Sequence, residues 1–231
     1  MIHAHPFNWP YDHRLEPVRT ALLAIDLQHD FISPQGYFAR LGYSPDALRA
    51  VIPNVNRLSG VMRRAGALIV HTRQGYRGDK ADMTPYEIWR REQNGLADTK
   101  VMLRDQPGFE IDSAVQVEPT DIIIDKTANG SFTYTDLDHV LRARGITHLI
   151  LTGVTTEVCV HSTLREACDR NYQCLTVTDA CASGDADMHE AAIRMVTVEN
   201  GLFGVVAATD AVVAGFEGRN YLSGQEVAGQ N

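Results

Sequence analysis

Thr152-Gly153-Val154-Thr155-Thr156-Glu157-Val158-Cys159-Val160-His161-Ser162-Thr163 follows directly on the apolar run 146–151. That run, bounded by Gly145 and Gly153, reads as a strand buried on both faces of a parallel sheet. Beyond it Val158, Leu164, Ala167 and Cys168 recur at helical spacing. Cys159 is therefore expected in the first turn of a helix, with Thr155 or Thr156 supplying the N-cap oxygen. A thiol at such a place feels the partial positive charge of unpaired backbone N–H groups, which is expected to lower its pKa. The same N–H groups can cradle the oxyanion formed when a thiolate attacks a carbonyl. A buried Cys on a helix serves packing more often than chemistry, so a nucleophile reading rests on partners elsewhere along the sheet edge.

Two such partners follow strands of their own. The run 21–26 reads as a buried strand ending in Asp26, and 121–125 as another, followed at once by Lys126. Further strands are expected at 67–72, 173–178 and 203–206. Helices are expected from Ser44-Pro45 to about Ala65, kinked or divided by Pro53, from Thr135 or Asp136 to Gly145, over 185–199, and from Thr209 onward. Strands alternating with helices predict an α/β fold: one doubly wound, mostly parallel sheet of about six strands with helices on both faces. Sites in such sheets form at the carboxyl ends of strands, where Asp26, Lys126 and Cys159 all fall. A thiol needs a base to take its proton and a charge to hold the thiolate. Asp26 is the candidate base, provided that burial raises its pKa or the site stabilises the thiolate. Lys126 is the candidate charge.

The rest of the chain bounds the function. With 231 residues, 44% hydrophobic and 22% charged, it suits a single domain with a substantial core. A net charge of -8 disfavours binding to nucleic-acid phosphates and mildly disfavours a strongly anionic substrate. Cys159, Cys168, Cys174 and Cys181 form no C-x-x-C pair and no zinc-finger spacing. The start Met1-Ile2-His3-Ala4-His5-Pro6 lacks a signal-peptide pattern, and no apolar run approaches spanning length, so a cytoplasmic setting is expected. Residues 1–18 form an aromatic arm around Phe7, Trp9 and Tyr11, 19–216 the domain and 217–231 a polar tail. The arm and the irregular stretch 74–117 need partners to cover their apolar surface, which predicts a homo-oligomer, a dimer or tetramer.

The motifs also carry a resemblance. Ala24-Ile25-Asp26-Leu27-Gln28-His29-Asp30-Phe31, Ile124-Asp125-Lys126 with Gly130-Ser131-Phe132, and Gly153-Val154-Thr155-Thr156-Glu157-Val158-Cys159-Val160 resemble those of the isochorismatase-like cysteine hydrolases. The likeness extends over nearly the whole domain. It implies a catalytic triad of Asp26, Lys126 and Cys159, a cis peptide between Val154 and Thr155, and an oxyanion hole from the N–H groups of Thr155 and Cys159. Nicotinamidases of this family carry a metal-binding D-x-H between the Asp and Lys motifs; that stretch has none here. Asp187-Met188-His189 fits the pattern but lies beyond the Cys, in an expected helix. The resemblance is nearest to biuret and triuret hydrolases, with ureidoacrylate amidohydrolases more distant. It rests there on Trp9-Pro10-Tyr11, His71-Thr72-Arg73 and Gly201-Leu202-Phe203-Gly204.

These observations predict an amidohydrolase without metal or cofactor, acting on a small neutral ureide. A C–N bond of a linear carbamoyl-urea would be cleaved through a Cys159 thioester with release of ammonia. Phe31 and Phe38 are expected to wall the pocket, with Val154, Arg73 and Glu199 also meeting substrate. Glu199, expected in the last turn of the 185–199 helix, would favour triuret over biuret, because ionised Glu only accepts hydrogen bonds. The alternatives are a ureidoacrylate-type amidohydrolase and a non-catalytic small-molecule binder.

Overall fold

The structure, a computed structural model, describes residues 1–218; the expected tail lies outside them beyond Gly218. Six parallel strands form one sheet: β1 (Thr20–Ile25), β2 (Leu68–Gln74), β3 (Ile122–Lys126), β4 (His148–Val154), β5 (Gln173–Ala182) and β6 (Val205–Ala207). Their order is β3-β2-β1-β4-β5-β6. Chain order reverses beside β1, which pairs with β2 on one side and β4 on the other. A crevice opens at such a switch point, outside the carboxyl ends of the strands.

Helices cover both faces. Alternation along the strands sends Leu22, Ala24, Ile69 and Ile150 into one core, together with Val55, Leu58 and Met62. It sends Ala21, Leu23, Ile25, Leu149 and Leu151 into the other, together with Leu137, Leu141 and Leu164. Every residue of β1 and β4 is buried, which is why apolar residues dominate both segments.

After β1 come two short helices, α1 (His29–Ile32) and α2 (Tyr37–Arg40), then α3 (Pro45–Arg49) and α4 (Ile52–Arg64). The single helix expected from Ser44 is thus divided, with Pro53 in the first turn of α4, where its missing N–H costs nothing. The stretch 74–117 is less irregular than expected. It contains α5 (Pro85–Gln93), whose N-cap Thr84 accepts from the Glu87 N–H at 3.2 Å. The remaining helices are α6 (Leu137–Ala143), α7 (His161–Asp169), α8 (Ala186–Val196), the four-residue turn α9 (Val198–Gly201) and α10 (Thr209–Glu217). The expected helix 185–199 stops at Val196: Glu199 and Asn200 have φ of 50° and 60°, left-handed values that no helix interior holds.

The arm folds back on its own domain. Ile2 and Trp9 exchange backbone hydrogen bonds, and His5 and Val206 do the same across the free edge of β6, which blunts that edge against further pairing. Trp9 is buried edge-on against His148, ring centres 5.3 Å apart. Among the described residues no helix is long and apolar enough to cross a membrane.

Candidate active site

Four neighbouring strands each deliver one polar side chain to the crevice. Lys126 ends β3, Gln74 ends β2, Asp26 follows β1, and Cys159 follows β4. The register pairs Gln74 with Lys126, so Gln74 stands between the Lys and Asp sides of the sheet. Asp26 leaves the strand with φ of 54°. Its Oδ1 accepts from the Thr72 hydroxyl at 2.6 Å, and its Oδ2 lies 2.8 Å from Lys126 Nζ. Lys126 Nζ also donates to the carbonyls of Asn129 (2.9 Å) and Ala128 (3.1 Å) and to Gln74 Oε1 (3.3 Å). The Cys159 thiol donates to the same Gln74 oxygen at 3.1 Å. Asp26 and Lys126 are fully buried, and Cys159 nearly so.

The charges in this cluster depart from the sequence expectation. Burial alone would lower the Lys126 pKa, but the Asp26 carboxylate and the Cys159 sulfur outweigh it and raise the pKa above the ordinary lysine value. Burial dominates at Cys159 and pushes its thiol well up; Lys126 pulls it down, while Asp26 pushes it further up. The expected depressed thiol is therefore corrected: the resting group is S–H, not a standing thiolate. Next to an ammonium and a carboxylate, such a thiol can ionise only by passing its proton to a neighbour as the reaction proceeds.

Local structure explains how the Cys159 side chain is presented. Gly153 has φ of 109°, and a Cβ there would lie 2.1 Å from the Ile25 carbonyl oxygen, so only glycine lets β4 approach the end of β1. The Val154–Thr155 peptide is cis, at the expected position. Thr156–Val160 then forms one π-helical turn closed by Val160 N–H to Thr155 O at 3.1 Å, and α7 continues from it. Neither threonine hydroxyl caps this turn, contrary to expectation; that of Thr156 instead meets His189 Nδ1 at 2.8 Å. The loop after β3 is tied to α7. Ser131 N–H donates to the Thr163 hydroxyl (3.1 Å) and Phe132 N–H to Glu166 Oε2 (2.9 Å). A Cβ on Gly130 would lie 2.2 Å from that carboxylate. This accounts for Gly130-Ser131-Phe132 beside the Lys motif.

The cluster lies at the base of a cleft of about 580 Å³. Thr155 and Cys159 line it, with Phe31 and Phe38 on one side and Tyr76, Arg90 and Arg91 on another. Three expected contacts fall elsewhere. Val154 is buried in the core behind the cleft. Arg73 does not line the cleft: it is bound to Asp125 (2.8 Å) and Glu110 (2.8 Å) and lies over Phe109. It precedes Gln74 on the strand, so alternation turns the two side chains to opposite faces. Glu199 is exposed on its left-handed turn and is absent from the cleft lining. Gln74 and the cations Arg90 and Arg91 were not anticipated as site residues. Gln74 carries the same signal as its neighbours, a polar residue at a strand's carboxyl end, but β2 runs two residues past the expected end at Thr72. Gln28 seats it, accepting from Gln74 N–H at 2.6 Å and donating to the Gln74 and Phe109 carbonyls. Among the described residues no three His, Cys, Asp or Glu side chains gather so as to hold a metal ion.

The isochorismatase domain model matches residues 20–211, most of the chain. The chain belongs to the isochorismatase family. Within it, the chain is an isochorismatase-like cysteine hydrolase and an amidohydrolase. It is 30% identical over 209 residues to a ureidoacrylate amidohydrolase, RutB, of Methylobacterium radiotolerans, covering 86% of this chain and 81% of that protein. The corresponding protein of Variovorax paradoxus is 31% identical over 208 residues, with 85% and 81% covered. A cysteine hydrolase from Pseudomonas syringae superposes with a TM-score of 0.79 at 26% identity, over 91% of this chain and 96% of that one. N-carbamoylsarcosine amidase from Thermoplasma acidophilum superposes at 0.65 with 25% identity, over 83% and 97%.

Proposed function

We propose that this amidohydrolase cleaves the carbamoyl C–N bond of a small ureido acid of the ureidoacrylate type, with Cys159 as nucleophile. The carrying observation is Arg91. Its side chain is buried at the cleft, donates Nη2 to the carbonyls of Val101, Leu96 and Thr99 at 3.3–3.4 Å, and forms no ion pair with a carboxylate among the described residues. Asp30 is a carboxyl group that feels this cation but does not bond to it directly; a buried cation paired so incompletely favours an anionic ligand, and a ureido acid carries a carboxylate where triuret and biuret carry none. The names of the curated relatives support the same class. Glu199, the residue expected to favour triuret, is exposed and outside the cleft.

In this reading the Cys159 S–H gives its proton to Asp26, and Lys126 stabilises the sulfur as it becomes thiolate. The sulfur attacks the ureido carbonyl carbon. The oxyanion is held by the Thr155 and Cys159 N–H groups, each such donor contributing about 10²–10³ in rate. The substituted nitrogen leaves with the proton from Asp26, and an S-carbamoyl thioester remains. Water, giving a proton to Asp26, then releases carbamate, which decomposes to ammonia and carbon dioxide. Phe31 and Phe38 flank the flat carbamoyl group. The test is kcat/KM for ureidoacrylate, biuret and triuret, followed by ammonia release. Ureidoacrylate is expected to lead by about tenfold or more, roughly 1.4 kcal/mol. Equal or better turnover of the neutral ureides overturns the assignment, and absence of turnover on all three points to the non-catalytic binder.

A further inference from the structure

A second pair of thiols lies away from the cleft. Cys168, near the end of α7, and Cys174, in β5, both line a surface pocket of about 380 Å³ walled by Phe7, Trp9, Tyr11 and Leu202. Cys168 is half-buried and Cys174 buried, and the Phe203-Gly204 stretch lies against both of them. The Cys168 thiol also meets the Phe203 carbonyl at 3.2 Å. Arg165, one turn earlier on α7, spreads its guanidinium 3.5 Å from the centre of the Phe203 ring, and its buried Nε has no hydrogen-bond partner. Gly204 presses on the main chain of Cys174, where a Cβ would come 2.3 Å from the carbonyl oxygen. The main chain of Cys174 is thereby held in place against the Phe203-Gly204 stretch.

We propose that Cys168 and Cys174 form a reversible dithiol–disulfide site oxidised by hydrogen peroxide. The pair divides the labour by environment. The neighbouring Cys174 thiol pulls that of Cys168 below its ordinary value, with Arg165 assisting against burial and Asp169, whereas Cys174 is raised. Cys168 is the more accessible of the two thiols and the more readily ionised, and the thiolate is the form that attacks peroxide. Cys159 and Cys181 are buried with raised thiols and are poorer targets. In the first step the Cys168 sulfur bonds to one peroxide oxygen, the O–O bond breaks, and the other oxygen leaves as water after taking a proton. In the second, Cys174 sulfur attacks that sulfenic sulfur, the S–O bond breaks, and the Cys174 proton leaves with the oxygen as a second water. The sulfurs are oxidised together by two electrons, the peroxide is reduced by two, and an external thiol reverses the bond.

The whole protein, fully reduced, is treated with a small excess of hydrogen peroxide, alkylated and cut with trypsin. The expected product joins peptides 166–170 and 171–194, lighter by two hydrogen atoms than the reduced pair and separated again by dithiothreitol. The link should persist in Cys181→Ser and Cys159→Ser and vanish in Cys168→Ser. Dimedone should label Cys168 in Cys174→Ser; if that variant fails to fold, brief peroxide exposure of the wild type in the presence of dimedone supplies the same reading. Recovery of both cysteines fully alkylated from the wild type overturns the proposal, as does a link that survives in Cys168→Ser.

Discussion

Gln74 offers one carbonyl oxygen to two donors, the Cys159 thiol at 3.1 Å and the Lys126 ammonium at 3.3 Å. It aligns the sulfur with the charge that must stabilise it, while Asp26 and the Ala128 and Asn129 carbonyls saturate the other ammonium protons. Gln74→Leu removes that shared acceptor and keeps most of the volume. A hydrogen bond to a charged group contributes about 1.5–3 kcal/mol, so kcat/KM is expected to fall about 10–100-fold with the melting temperature little changed. Unchanged kcat/KM in Gln74→Leu shows that Lys126 and Cys159 are aligned without it. Cys159→Ala is the sharper case: it deletes only sulfur and should cost on the order of 10³-fold or more in turnover, because residues acting as a unit fail together. Turnover near the wild-type level in a folded Cys159→Ala removes the thioester from the mechanism. At this scale the sequence was legible where a charged or thiol side chain follows a strand: Asp26, Lys126 and Cys159, expected at one sheet edge, meet there. It was not legible for Gln74, an amide whose role depends on which strands are neighbours.

The element that sets the site's spacing is the end of β4, where Gly153 lets the strand close on Ile25 before the chain turns toward Cys159. Gly153→Ala forces a Cβ to within 2.1 Å of a backbone oxygen that cannot rotate away, in a conformation that is itself strained for alanine. The expected cost is about 3 kcal/mol or more, seen as a lower urea midpoint, together with lost turnover because Asp26 and Cys159 separate. An unaltered midpoint would show that β1 and β4 part freely and that their contact does not fix the site. The strands were readable because burial on both faces removes polar residues from them. Helix α5 was missed although Thr84-Pro85-Tyr86-Glu87 carries a cap, a proline and an acid at the right offsets; its polar residues obscured the period. Glu199 could not be placed from sequence because the left-handed conformation that ends the helix begins at Glu199 and Asn200, ahead of the glycine that shares the positive φ.

Titration of buried groups across the whole molecule sets its stability against pH. His148, His161 and His189 are each held below their ordinary value, first by burial; Arg19 adds at His148 and Arg165 at His161. Asp12 and Glu16 oppose at His148, the Ala192 backbone at His161, and Glu157 and Glu190 at His189. A depressed folded pKa means that the unfolded chain takes up protons first, near pH 6.5, so stability rises with pH through that region. These groups contribute fully above their unfolded value, and the contribution is lost as pH falls toward the folded one. Asp121, lowered by His71 and Arg63 against burial, adds a further loss below its ordinary 3.8. Asp30 is raised by burial, so its contribution is present below 3.8 and lost as pH rises; it partly offsets the acid trend. On the alkaline side Cys159 and Cys181 are raised from 9.0, and Tyr76 and Tyr172 from 10.0. Their contributions hold below those values and are lost above them, with the lowered Cys168 alone among the thiols acting the other way until it forms its thiolate. The melting temperature should therefore be highest between about pH 7 and pH 9 and fall between pH 7 and pH 5. His161→Gln and His189→Gln together should flatten that acid fall, since neither replacement takes up a proton. A melting temperature that stays constant from pH 7 to pH 5 in the wild type means that these histidines titrate alike folded and unfolded.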